Sequence, residues 1–314
     1  MEVKTLVSRI VSEVSKAVVD KEDVIRLVLY TILANGHVLI EDYPGLAKTM
    51  LAKSLARVMG LKFSRIQFTP DLMPSDITGS NILDQRTLNF VFREGPVFAN
   101  VVLADEINRA PPKTQSALLE AMQERQVTVD GKTHRLPEPF TVIATQNPIE
   151  YEGTYPLPEA QVDRFLVKIG IGYPSLGGEI EILKRRVARK ADEVELERVA
   201  SAEDVLSAQR RIEDVYVDES IMRYIVAIVR ATREHPNVEV GASPRGSLAL
   251  LKLSRVRAAA NGRDYVIPDD VKAVVIPALH HRLILRSELW IKGVKPSEII
   301  RQILEKIPVP KVVE

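Results

Sequence analysis

The stretch HVLIEDYPGLAKT, residues 37–49, limits the possible folds more than any other part of the chain. Val38, Leu39 and Ile40 form a short apolar run that predicts a buried strand. The pattern breaks at Tyr43, Pro44 and Gly45 and resumes at Lys48 and Thr49, just ahead of the helical sequence MLAKSLARVMG. Strand, turn, Lys-Thr, helix is the layout of a phosphate-binding loop, in which backbone N–H groups and a helix N-terminus converge on one anion. Lys48 would then reach the terminal phosphates, and the Thr49 hydroxyl would ligate magnesium. Two positions where such loops usually carry glycine hold Asp42 and Ala47 instead. Alanine is a small change, but a carboxylate near phosphates repels them unless its side chain points away. Taken alone, the same layout also describes an ordinary strand–turn–helix corner, so a partner motif downstream has to decide.

That partner stands at residues 101–106. Val101, Val102, Leu103 and Ala104 are fully apolar and stop at Asp105-Glu106. A buried strand that delivers two carboxylates to its C-terminal end supplies the second half of a nucleotide-hydrolysing site, since ligands of open α/β sheets collect at that end. Asp105 is placed for the magnesium shell and Glu106 for orienting or deprotonating a water. Another buried strand, residues 140–144, runs into Thr145-Gln146-Asn147-Pro148, where an amide would meet the γ-phosphate or the water.

Strands predicted at 62–68, 88–92 and 166–171, with a helix at 112–125 and a hairpin at 126–136, complete an α/β pattern that implies a central parallel sheet. Residues 69–81 hold two prolines and a glycine and are expected to be turn-rich. Tyr173-Pro174 marks a linker, beyond which the strand signal largely vanishes. Helices are expected at 176–190, 202–212, 219–234, 244–261, 268–281 and 296–307. The domains are therefore an α/β core over 1–173 and a separate all-helical lid over 174–314.

Net charge is +1, from 43 basic and 42 acidic side chains, which gives no global field for nucleic acid or anionic membrane. The absence of cysteine excludes disulfide and thiolate chemistry. The N-terminal Val3, Leu6, Val7, Ile10, Val11 and Val14 recur at helical spacing between charged residues, as in an amphipathic helix rather than a signal peptide. No run approaches the roughly 20 apolar residues needed to span a bilayer, so the cytoplasm is the expected compartment. His280-His281 fall in no metal-binding spacing, the basic run from Lys184 to Lys190 reads as a solvated helix end, and Trp290 reads as a packing residue.

The blocks FTPDLMPSDITG, FREGPVFANVVLADEINRAPPKTQSALLEAMQERQVTVDG, LPEPFTVIATQNPIEYEGTYPLPEAQVDRF and GASPRGSLAL resemble those of the MoxR family of AAA+ ATPases. This is a clade with an insert in helix 2 and a hairpin before sensor 1. The resemblance implies a P-loop AAA+ core and helical lid, with ATP and Mg2+ as ligands. Tyr43, Pro44, Gly45, Leu46, Ala47, Lys48, Thr49 and Met50 would bind the nucleotide, with Val19 and its neighbours Val18 and Val24 near the base. Thr49 and Asp105 would hold the metal. Glu106, Lys48 and Asn147 (sensor 1) would carry the chemistry, with Arg164 as an arginine finger and Arg245 as sensor 2. Asp42 departs from the commoner glycine, and Arg109 falls within a family block without a settled role.

The expected function is ATP hydrolysis by a homo-hexameric, chaperone-like ring that matures or activates a client protein, one that the resemblance suggests carries a von Willebrand factor A domain. A nucleic-acid motor using Lys132, His134 and Arg135, and a nucleotide-dependent scaffold with little turnover, are the alternatives. The balanced charge argues against nucleic acid.

Overall fold

Two amphipathic helices, α1 (Val3–Val14) and α2 (Glu22–Leu33), lead into strand β1 (Val38–Glu41), and the loop after it opens helix α3 (Lys48–Val58). The chain continues through β2 (Phe63–Gln67), α4 (Pro74–Thr78), β3 (Gly79–Asp84), β4 (Asn89–Glu94), β5 (Val101–Asp105) and α5 (Pro112–Glu124). Then come β6 (Gln126–Val129), β7 (Lys132–Arg135), β8 (Thr141–Gln146), α6 (Glu159–Val162) and β9 (Val167–Ile169). The remaining, mainly helical part, called the lid below, holds α7 (Leu176–Arg189), α8 (Ala202–Glu213), α9 (Glu219–Glu234), β10 (Val238–Val240), α10 (Pro244–Ala260), α11 (Pro268–Leu279), β11 (Ile284–Leu285), α12 (Ser287–Ile291) and α13 (Pro296–Lys306). The structure is a computed structural model and describes residues 1–86, 88–149 and 153–310; the side chain of Trp290, and with it the packing expectation, lies outside that description.

One five-stranded sheet, all parallel, runs in the order β2-β5-β8-β1-β9. Its strands read as continuous apolar runs because both faces are covered. Alternate residues go to opposite faces: Val38, Ile40, Val101, Leu103 and Ile143 enter one buried cluster, and Leu39, Val102, Ala104, Val142 and Ala144 the other. The first cluster extends without a break through α1–α3 into α8–α11, so the lid is joined to the core by packing as well as by the chain. The lid also carries one antiparallel strand pair, β10 with β11, among its helices.

His37, just before β1, ties three elements together. Its Nε2 donates to the Met122 carbonyl at 3.0 Å, and its Nδ1 accepts from Val142 N–H at 3.0 Å. That pattern requires the neutral ring, and burial holds its pKa down to about 3. The residue fixes where the phosphate-loop strand begins relative to β8 and α5.

The turn-rich expectation for residues 69–81 is only half the story. The segment contains α4 and the start of β3, and β3 pairs antiparallel with β4, from Gly79↔Glu94 to Asp84↔Asn89. This hairpin does not stand alone. Asn81 Nδ2 donates to Asp130 Oδ2 at the turn of the β6–β7 hairpin at 2.6 Å, and the Phe92 and His134 rings stack at 3.9 Å. The two hairpins form one projecting unit, on which Ile82, Leu83, Leu88, Phe90 and Val91 are exposed.

Candidate active site

Strand order brings the predicted groups together. β5, β8 and β1 are neighbours and run the same way, so Asp105-Glu106, Gln146-Asn147 and the loop to Lys48 all sit at the C-terminal ends of the three central strands. A cavity of about 580 Å³ lies there, and its lining includes Gly45, Lys48, Thr49, Asp105, Glu106 and Asn147. Pro44, Leu46, Ala47 and Met50 line it too. They also line an adjoining hollow of about 520 Å³ that is walled by Val18, Val19, Tyr173 and Pro174. Val19 thus lies in the wall of this hollow, whereas the partly buried Val24 packs against the core. Tyr43 stacks on Tyr173, ring centres 6.3 Å apart, at the rim.

Gly45 (φ 81°), Ala47 (φ 56°) and Glu106 (φ 57°) all adopt left-handed backbone. For residues with a side chain this costs about 1–3 kcal/mol each, and such residues cluster where geometry is imposed by function. The loop leads directly into α3 with no side-chain cap, and the first-turn N–H groups of that helix, like those of any α-helix, have no intrahelical acceptor, as an anion site needs. Asn147 fits the same purpose. Its Oδ1 accepts from Ile149 N–H at 3.3 Å, and its buried Nδ2 has no hydrogen-bond partner among the described residues. An orphaned buried donor in the cavity wall calls for an oxygen-rich ligand. A threonine hydroxyl and an aspartate, both in the wall, are hard oxygen ligands of the kind magnesium takes.

Several residues that hold these groups escaped the sequence reading. The buried Thr145 hydroxyl links the Asp105 carboxylate to the backbone of Glu106: it donates to Asp105 Oδ1 at 2.6 Å and accepts from Glu106 N–H at 2.9 Å. Arg65 and Gln67 alternate on β2, so both face the same side. Arg65 donates to Asp105 Oδ2 at 2.7 Å, and Gln67 Nε2 to Glu106 Oε2 at 2.7 Å. Arg109 reaches the same Glu106 oxygen at 2.8 Å, which gives this block residue a definite contact.

Arg164 and Arg245 are elsewhere. They share a second, smaller cavity with Asp163, Lys252 and Arg282, and neither lines the nucleotide cavity of its own chain. Arg245 Nη1 lies 3.6 Å from Asp163 Oδ2, and the buried Arg164 Nε has no partner among the described residues. Arg245 thus faces Asp163 and not the cavity that holds Lys48 and Asp105.

The profile of the ATPase family associated with various cellular activities (AAA) matches residues 37–167, and that of the AAA lid domain residues 230–303. The chain is 45% identical to the chaperone MoxR1 of Mycobacterium tuberculosis over 99% of its own length and 84% of that protein's. It is 34% identical to the MoxR protein of Methylorubrum extorquens, covering 96% of this chain and 95% of that one. The chain belongs to the MoxR family of AAA+ ATPases. Its identity to YeaC of Bacillus subtilis is 50%, over 97% of this chain and 95% of that protein. A crystal structure of a candidate ATPase from Cytophaga hutchinsonii superposes with a TM-score of 0.92 at 44% identity, over 98% of this chain and 96% of that one. ATP hydrolysis, and with it the binding of nucleotide, follows from this membership.

This MoxR-type ATPase has a structural reason for Asp42. Its carboxylate turns away from the cavity and accepts N–H groups from Ile171 and Gly172, both at 2.6 Å, and from Tyr43 at 2.8 Å. Its backbone carbonyl accepts from Lys48 Nζ. The residue therefore ties the phosphate loop to the end of β9 and does not repel phosphate. Asp42→Ala and Asp42→Gly should each lower stability by about 2–4 kcal/mol, because buried donors lose a charged acceptor. ATP affinity of the folded protein should change little. Tighter ATP binding by the glycine variant at unchanged melting temperature would contradict this role.

Proposed function

We propose that this ATPase works as a ring in which the nucleotide site of one copy is completed by Arg164 of the next. In this reading turnover remodels a client protein in the cytoplasm. The observation that carries the proposal is the split of the machinery. Lys48, Thr49, Asp105, Glu106 and Asn147 line one cavity, while Arg164 and Arg245 gather at another. In this reading the neighbouring copy adds Arg164 to the cations already in the cavity wall, Lys48, Lys53 and Arg57, and Arg245 acts in trans beside it. Leu176, Ile180, Leu183 and Val187, on one face of α7, are exposed. An apolar stripe of that kind is expected to be covered by a neighbouring copy.

Within one site the residues have distinct tasks. The loop N–H groups and Lys48 hold the phosphates of ATP. Thr49 and Asp105 would hold magnesium, which when bound neutralises charge between the β- and γ-phosphates. Glu106 takes the proton of the attacking water, which requires its oxygen to loosen from Gln67 and Arg109. Asn147 Nδ2 donates to the γ-phosphate or to that water.

The joined β3–β4 and β6–β7 hairpins, with Leu88 and Phe90 of the first exposed, are the surface through which turnover reaches a client. A partner carrying a von Willebrand factor A domain is the class favoured by the family. Light scattering with the Glu106→Gln protein tests the assembly. ATP should convert it to a closed ring, with six copies expected. A monomer at saturating ATP and micromolar protein would overturn the ring reading.

A further inference from the structure

The loop that carries Arg164 is held by the lid. Asp163 Oδ1 accepts from Arg282 Nε at 2.8 Å, its Oδ2 accepts from Ser243 Oγ at 3.1 Å, and Arg245 Nη1 lies 3.6 Å from the same Oδ2. Ser243 caps α10, Arg245 belongs to its first turn, and Arg282 ends the turn after α11, so all three partners come from the lid. Arg282 reaches further than the carboxylate. Its Nη2 donates to the carbonyls of Asp163 and Phe165 at 3.1 and 2.8 Å, and its Nη1 to those of Leu166, at 3.3 Å, and Ala278. The Arg282 side chain is 3% exposed.

A planar guanidinium that spends its donors on successive carbonyls of one loop specifies the path of that loop. It brackets Arg164, whose neighbours on both sides it grips. Losing Asp163 would leave the buried Arg282 charge without its carboxylate partner, which makes the pair hard to break from that side. Neither Asp163 nor Arg282 lines the nucleotide cavity of its own chain.

We propose that Arg282 and Asp163 are positioning residues that lock Arg164 to the lid, so that the arginine one copy presents to its neighbour moves with that copy's own lid. The inference rests on the reading of Arg164 as acting in trans. It gives the ring a route for one site to set the rate of the next. The lid packs on α1–α3 around the phosphate loop on one side and grips the Arg164 loop on the other.

The test uses full-length Asp163→Asn and Arg282→Lys proteins, two variants so that a folding failure of one leaves the other. Displacing a catalytic group by about 1 Å can cost about 10²-fold in rate, and a loss of tenfold or more in kcat is expected, with ATP affinity unchanged. Adding Lys48→Ala subunits, which carry an intact Arg164 loop, should restore part of the activity, whereas adding Arg164→Ala subunits should not. A merely structural defect would weaken nucleotide binding as well and would not respond to Lys48→Ala subunits. Wild-type kcat in both variants, while Arg164→Ala is inactive in the same assay, would overturn the positioning role and leave the trans reading standing. Full activity of Arg164→Ala itself would overturn both.

Discussion

Glu106→Gln is expected to bind ATP as the native protein does and to hydrolyse it about 10²–10⁴-fold more slowly, the usual contribution of a positioned base. Glutamine keeps the shape of the side chain and an oxygen that still accepts from Gln67 and Arg109, so the left-handed turn at 106 and the 2.9 Å bond from its N–H to Thr145 should survive. What is lost is the basic carboxylate at the tip of β5. A single-turnover assay with labelled ATP separates the two steps. Nucleotide should remain bound and intact over many native turnover times. Turnover equal to that of the native protein would remove Glu106 from the chemistry and point to another base in the cavity.

Arg164→Ala should have the larger effect, about 10³–10⁵-fold on kcat, the range for an arginine that stabilises charge on a transferring phosphoryl group. Because Arg164 does not line its own chain's nucleotide cavity, the affinity of an isolated copy for ATP should not change. Kinetics and equilibrium binding on the same preparation give that split directly. A parallel loss of affinity would place the guanidinium in its own chain's site, against the geometry seen here.

The parts of this account that were legible in the sequence are those carried by local pattern. Asp105 and Glu106 end an apolar run, the six spaced apolar residues of α1 face the core as expected, and α9 begins and ends where its pattern does. What escaped depends on which strands become neighbours. Arg65 and Gln67 look like ordinary polar residues of an edge strand until β2 is set beside β5, with Gln67 paired to Asp105 in register. Thr145 gained its importance the same way, from β8 lying between β5 and β1. The direction of the Asp42 side chain was beyond any motif, since it is decided by two N–H groups 129 and 130 residues away. Strand β3 was hidden by the Pro and Gly around it, and only its pairing with β4 reveals it. The position of Arg245 follows from lid packing, which helical periodicity does not report.

The claim that the active site is shared between copies is tested most directly by mixing two inactive proteins. Lys48→Ala lacks the phosphate ligand but keeps its Arg164, and Arg164→Ala has the reverse defect. ATP hydrolysis measured across a range of mixing ratios should rise above that of either protein alone and peak where hybrid interfaces are most numerous. No recovery at any ratio, with mixed assemblies present by light scattering, would contradict a catalytic arginine supplied by the neighbouring copy.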